Sequence, residues 1–451
     1  MARDITTSDL IQILSSYSAE HLNELIVDIH PVDILEALLE YDGDRRELIN
    51  KLTLNTIVEI LERADDEDKL EIYNLLSESQ QKQILREMAS DELVDFLESV
   101  DPEQADSIIR QLDKEDVAEV RRLMGYGPES AGGIMATEFM IVKGDMTVWE
   151  VLHLLQKEGI EAETTNTLYV LDDDGHLIGV ASLSDLVVNG FNTKISDIMN
   201  EQVISVRTDI DQEEVGRIFQ KYGFASIPVV DHHNRMQGII TSDDIMDVLR
   251  EENTEDFEKM AALIHNEAEY LESSVLNLAK KRITWLLVLM ISATFTGLII
   301  RGFEDALTAV VLLAAFIPML MDTGGNAGAQ SATLIIRGMA LGEVTIKDFY
   351  SVLYKEFRVS IIVGLMLAVI NFGRIILIDR VSVLISLTVS ISLFFTVVIA
   401  KAVGCVLPII AKSLKVDPAI MAAPIITTIV DALSLIIYFS LATVILQIPA
   451  Q

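Results

Sequence analysis

The sequence predicts a multidomain membrane protein. An all-α N-terminal helical array, an α/β tandem repeat and a long connecting helix precede an all-α transmembrane domain of five helices. Three observations in the 451 residues carry that prediction: acidity is confined to one part of the chain, a motif recurs in its middle, and long apolar runs fill its end. Of the 34 Lys and Arg, 11 lie from Arg282 onward, against 9 of the 69 Asp and Glu, so that stretch nets +2 and residues 1–281 net −37. So acidic a half repels nucleic acid and anionic head groups and attracts cations, which excludes DNA and RNA as expected partners. Cys405 lies in an apolar run, so no disulfide framework exists and the first half suits a reducing cytoplasm. The start, Met1 to Thr7, leads into a polar amphipathic segment and does not read as a signal peptide.

Residues 1–130 read as the acidic helical array. Short units open at Ser77-Glu-Ser, Ser90-Asp-Glu, Asp101-Pro-Glu and Asp113-Lys-Glu, each offering a capping side chain with acids that suit the positive end of a helix. The starts recur about every twelve residues with leucines and isoleucines at helical spacing, which implies a stacked array.

Gly125-Tyr-Gly-Pro closes that pattern, and residues 131–195 and 196–250 form an internal repeat. Met135-Ala-Thr-Glu-Phe-Met-Ile-Val aligns with Met199-Asn-Glu-Gln-Val-Ile-Ser-Val, and Gly179-Val-Ala-Ser-Leu-Ser-Asp185 with Gly238-Ile-Ile-Thr-Ser-Asp-Asp244. The expected unit is a helix, two short strands with a tight turn, and a second helix. The Gly-apolar-apolar-Ser/Thr-x-x-Asp ends resemble a tandem pair of CBS domains. That resemblance implies an α/β module able to hold ATP or another adenine nucleotide, with Asp185 and Asp244 as candidate ribose ligands.

Residues 251–281 read as one polar helix with acids at its start and Lys280-Lys-Arg at its end, a rod between sensor and membrane. Apolar runs follow at about 283–300, 306–336, 359–378, 381–411 and 419–447, each long enough to cross a hydrocarbon core of roughly 30 Å. Basic residues sort between the loops as they do when the N-terminus is cytoplasmic, which sends Gln451 outward.

Inside these runs the chemistry is concentrated in two places. Pro318 and Asp322-Thr-Gly-Gly-Asn-Ala-Gly-Ala-Gln interrupt the second run, and Pro424 to Asp431 lie in the fifth. Prolines there are expected to break helices and free carbonyls, which survives at membrane depth only in protein or beside water. Asp431, with Thr427 one turn earlier, presents oxygen atoms on one face. A carboxylate at the bilayer centre costs about 2.5 to 3.5 kcal/mol, so Asp322 and Asp431 require a partner or an ion path. Lys401 in the fourth run is the partner that would make either aspartate a buried ion pair. Oxygen donors without a Cys or His pair favour Mg²⁺ or Ca²⁺ over softer metals, and Mg²⁺ keeps much of its water.

The order of parts, Gly324-Gly-Asn-Ala-Gly and Pro424-x-x-Thr-x-x-x-Asp431 together resemble the MgtE magnesium channel family across the whole chain. The resemblance implies a homodimer in the cell membrane with a pore at the subunit interface, closed when Mg²⁺ binds the cytosolic half. It implies Asp431 as the pore metal site, with Pro318, Asp322, Gly325, Asn326, Pro424 and Thr427 beside the path. As sensor carboxylates it implies Glu59, Asp91 and Asp95 in the array, Glu213, Asp244 and Asp247 in the second repeat, and Glu252, Glu255 and Asp417; Gly223 stands where a relative can carry an acid near Glu213. Two other readings use the same residues: a nucleotide-sensing membrane signalling protein whose spans only anchor it, and a transporter of Co²⁺ or Ca²⁺. No nucleophile with a base and no cofactor loop marks an enzyme.

Overall fold

The computed structural model describes residues 6–27, 29–159, 162–264, 270, 273–421 and 423–448. It falls into two units, residues 1–249 and 250–451.

The first unit opens with helices α1 (Thr7–Ser16), α2 (Ala19–Ile26), α3 (Pro31–Leu39), α4 (Arg45–Ile49) and α5 (Leu54–Arg63), followed by α6 (Asp66–Leu75), α7 (Glu78–Glu87), α8 (Ser90–Ser99), α9 (Pro102–Ile109) and α10 (Lys114–Leu123). From α5 to α10 the helices start at 54, 66, 78, 90, 102 and 114, the twelve-residue rhythm of the sequence. Each turns its Leu and Ile inward to one core, where Tyr73 meets Phe96 edge to face at 5.2 Å. Ser77 caps α7 as expected, its hydroxyl and Gln80 exchanging bonds with each other's backbone. The other starts differ. Ser90 is the first residue of α8 and not its cap; its hydroxyl goes to Glu138, and Glu62 of α5 accepts from the Ala89 N–H instead. Asp101 and Asp113 occupy cap positions without a capping hydrogen bond.

Each half of the tandem repeat is a three-stranded sheet with helices. The first has β1 (Phe139–Lys143), α11 (Val148–Glu158), β2 (Thr164–Leu171), β3 (Leu177–Ser182) and α12 (Leu183–Val188). The second has β4 (Val206–Arg207), α13 (Gln212–Tyr222), β5 (Ser226–Val230), β6 (Met236–Thr241) and α14 (Ser242–Met260). The parallel strands β1 and β4, which the sequence reading omitted, pair with β2 and β5, and each hairpin completes its sheet antiparallel. The two halves cover each other. A Cβ on Gly179 would lie 2.7 Å from the Met199 sulfur, and one on Gly238 would lie 2.7 Å from the Ala136 carbonyl and 2.8 Å from the Met135 side chain. The glycine of each repeat motif is therefore the place where the opening segment of the other repeat lies down on the sheet. Tyr169 of β2 and Ser226 of β5 add a buried hydroxyl contact of 2.8 Å.

The expected single helix across 251–281 is absent. α14 ends at Met260, Ala262 adopts a left-handed backbone (φ 55°), and the next helix begins at Val275, so Lys280, Lys281 and Arg282 lie in the first long apolar helix. Residues 265–269 and 271–272 of that stretch lie outside the described residues.

Among the described residues, five segments are long and apolar enough to cross a membrane. They contain α15 (Val275–Gly302), α17 (Ile317–Ala340), α18 (Phe349–Arg374), α19 (Val383–Ser413) and α20 (Ala423–Ile445); the short α16 (Glu304–Ala309) precedes a 3₁₀ turn at Val311–Phe316. The helices do not break where the sequence reading placed the breaks. Pro318 lies in the first turn of α17 and Pro424 in that of α20, where a missing N–H is tolerated, while the interior proline is Pro408 of α19. The irregular backbone lies before α17, and the buried Tyr438 hydroxyl donates to the Leu313 carbonyl there at 3.0 Å.

Candidate metal centre and ion path

The glycines of α17 bring three helices close together. A Cβ on Gly404 of α19 would come 2.2 Å from the Gly328 carbonyl, and one on Gly325 would come 2.9 Å from the Thr427 side chain of α20. These glycines are notches for neighbouring helices within an unbroken α17. With that side of α17 filled, Pro318, Asp322, Asn326 and Gln330 line up four residues apart, all exposed, in a span that is mostly apolar. Asp431 of α20 is half-buried and close enough for Asp322 to act on its charge. Among the described residues neither aspartate has a basic partner. Thr427 Oγ1 and Thr428 Oγ1 both donate to the Pro424 carbonyl, at 3.0 and 2.9 Å, so that carbonyl is already satisfied by hydroxyls.

Lys401 does not pair with either aspartate. Its ammonium lies 3.9 Å from Glu356 of α18, with the Ser331 hydroxyl between them. Glu356 precedes the third apolar run, which starts at 359 after Lys355 and Arg358, so hydropathy alone leaves it outside the membrane helices.

In the first unit the expected sensor residues divide. Asp91 is buried at 8% exposure, and burial followed by repulsion from Asp244 and Glu92 pushes its carboxyl well above the usual range. Burial also raises Asp244, against the bonds its carboxylate accepts from Thr241. Two neighbours were not anticipated. Glu163 still reaches solvent, yet the surrounding protein and then Asp244 and Glu62 push it up to about 7; Glu62 is itself raised, mainly by burial. Asp91, Asp244, Glu62 and Glu163, with Glu138 at the edge, are near enough to raise one another by repulsion and are oxygen donors of the kind a hard divalent cation takes, but among the described residues the trio whose ligand atoms lie within 4.8 Å of one another is Asp172, Asp174 and His176. A signal existed in the sequence for none of the three glutamates, because they come from α5 and from segments flanking β1 and β2.

Other candidates sit elsewhere. Glu59, Asp95 and Asp247 are exposed on α5, α8 and α14, and Glu252 is half-buried on α14. Glu213 pairs with Arg217 at 2.5 Å. Glu255 and Asp417 share one ammonium: Lys259 lies 2.6 Å from the first and 2.8 Å from the second, and these partners hold it above the usual lysine range against the opposing effect of burial.

Between the repeats a cleft of about 420 Å³ is lined by Tyr169, Asp185, Asn200, Phe224 and Ser226 among others. Ser182 caps α12, and Asp185 accepts from its hydroxyl at 2.5 Å. Asp244 occupies the equivalent place in the second repeat but stands among the acids.

The sequence pattern of the MgtE intracellular N domain matches residues 29–129, that of the CBS domain residues 131–189 and 195–251, and that of the MgtE divalent cation transporter domain residues 317–441. A magnesium transporter MgtE from Bacillus subtilis is 34% identical over 98% of this chain and 99% of its own length. The chain belongs to the MgtE family. The magnesium transporter MgtE of Thermus thermophilus is 41% identical over 74% of each chain. Among solved structures, the soluble part of a magnesium transporter matches with a TM-score of 0.52 at 32% identity, covering 55% of this chain and 97% of that one. The cytosolic domain of the Mg²⁺ channel MgtE in complex with ATP matches with a TM-score of 0.51 at 37% identity, covering 54% of this chain and all of that one. This member of the family is thus a multi-pass membrane protein that transports Mg²⁺, with a helical N-terminal domain and a CBS pair ahead of its spans.

Proposed function

We propose that this protein is a homodimeric Mg²⁺ channel, with its acidic part in the cytosol, that closes when Mg²⁺ binds there. The observation that carries the pore is the exposed line Asp322, Asn326, Gln330 beside Asp431. Left against lipid, those groups would be unfavourable by several kcal/mol, roughly 2.5 or more for the aspartate alone. A second copy placed against this face turns it into a water-filled path, with one Asp431 from each subunit offered to a largely hydrated ion. Five spans then leave the C-terminus outside.

Closure follows from the acids around Asp91. Without a cation they repel and favour separation of the elements that carry them; a divalent ion removes that repulsion and selects the compact arrangement. Glu59, Asp95 and Asp247 on exposed surfaces and the half-buried Glu252 would extend this response; Glu213 is paired with Arg217, and Glu255 and Asp417 with Lys259. Of the two ribose candidates, Asp185 suits an adenine nucleotide such as ATP, because its cleft lacks the acid cluster that would repel phosphates at Asp244. A cytosolic MgtE domain solved in complex with ATP supports an adenine nucleotide as the ligand class.

Flux into liposomes holding the full chain tests the reading. Mg²⁺ uptake is expected to stop when Mg²⁺ is raised on the acidic side, to persist there in D91N, and to be lost in D431A. Parental flux in D431A would overturn the pore assignment. The matched family is described by divalent cations in general, so Co²⁺ and Ca²⁺ are the competitors to include.

A further inference from the structure

The helix α17 is fixed from behind. Ser331 lies about 140° round the helix from the middle of the Asp322, Asn326, Gln330 line, at about 100° per residue. It is 1% exposed, and Lys401 of α19 is 5% exposed. The Ser331 hydroxyl donates to Glu356 Oε2 at 2.6 Å and accepts from Lys401 Nζ at 3.2 Å. α17, α18 and α19 thus contribute one group each to a three-membered network, and the Gly328 to Gly404 contact holds the α17 and α19 backbones together one turn away.

A hydroxyl that donates to an anion while accepting from a cation has one satisfactory direction. Turning α17 by a single residue would take Ser331 out of the gap and leave a loosely spaced ion pair in a low-dielectric interior. Such a trio adds little stability over apolar side chains of the same volume, but it disfavours every arrangement in which a member goes unsatisfied. Its effect is therefore on geometry. We propose that Ser331, Glu356 and Lys401 are positioning residues for permeation: they set the rotation of α17 about its axis, and hence which oxygens of the exposed line meet the passing ion. This rests on the reading of that line as the ion path.

The test uses the full chain in liposomes, with S331A and the double variant E356L/K401L, read as maximal Mg²⁺ flux, half-saturating Mg²⁺ and competition by Co²⁺. The double variant should fold with a melting temperature equal to or above the parent's, since no lone charge is left behind. Its half-saturating Mg²⁺ should rise and its preference for Mg²⁺ over Co²⁺ should fall by about tenfold, within the roughly 100-fold that a 1 Å misplacement can produce. S331A should shift both in the same direction. A water-soluble thiol reagent should also react at a different rate with N326C, in a C405A background, once the trio is removed. The proposal is overturned if S331A and the double variant keep the parental concentration dependence, preference and labelling rate; if the double variant does not fold, S331A decides alone. Should N326A and D431A reduce flux while the trio variants do not, only the positioning role falls. Should N326A and D431A leave flux unchanged as well, the ion path itself has been misplaced.

Discussion

The two sides of α17 treat membrane-level carboxylates in opposite ways. Behind the helix, Glu356 has a lysine and a serine of its own chain. In front, Asp322 is near enough to act on the charge of Asp431, and neither has a basic partner among the described residues. One arrangement has its charge balanced within the chain; the other, on the proposed ion path, has no such counter-charge among the described residues. The first unit repeats the contrast: Lys69 holds Glu92 at 2.7 Å and Arg63 holds Asp243 at 3.3 Å, while the nearby Asp91, Asp244 and Glu163 are raised by burial and one another. A carboxylate's missing partner, more than its depth, separates an ion site from a structural pair.

The comparison breaks most directly at Asp431. A charge-assisted contact to a hydrated ion is worth about 1.5 to 3 kcal/mol, so D431N should lower Mg²⁺ flux by roughly 10- to 100-fold with the melting temperature unchanged or raised. Next in size, G404A should destabilise the membrane domain by about 1 to 3 kcal/mol, because the new methyl meets the Gly328 carbonyl and must push α19 off α17. Detergent melting curves would read the loss.

The acid cluster sharpens the contrast through pH. Glu163 titrates near 7 in the fold and near 4.5 when unfolded, so the stability it contributes is complete below about 4.5 and is lost as pH rises to 7. Asp91 and Asp244 act in the same sense. Without divalent ions the melting temperature of the cytosolic part should fall between pH 4.5 and 7, and saturating Mg²⁺ should abolish the fall; a melting temperature that rises over this window without Mg²⁺ would contradict the cluster. The smallest effect is expected at Lys259. Its exchange for Met should cost no more than about 1 kcal/mol without metal, as for other solvated pairs, and should make stability newly dependent on Mg²⁺ through Glu255 and Asp417.

What could be read from the chain were the features written in neighbouring residues. The twelve-residue rhythm of the array, the paired Gly and Asp ends of the repeats and the five apolar runs are all local periodicities, and each has its counterpart in the fold. Asp431 and Asp322 were conspicuous as charges in apolar surroundings. The features that escaped depend on chain segments far apart: Ser90 turns from a cap to a partner of Glu138 only because β1 arrives beside α8, and Glu356 becomes a membrane residue only when Lys401 meets it. The polar stretch after Met260 has helical composition throughout, so composition alone predicts a rod where α14 ends at Met260, just before a left-handed Ala262.

The reciprocal placement of Met199 over Gly179 and Met135 over Gly238 has a bearing on how this protein can be divided. Neither half carries its own lid, so severing the chain between residues 190 and 195 and separating the pieces would strip both sheets at once, with each fragment exposing the strip that the other had shielded. The smallest portion able to stand alone there is the joined pair, and a change felt in one half has to be felt by its twin.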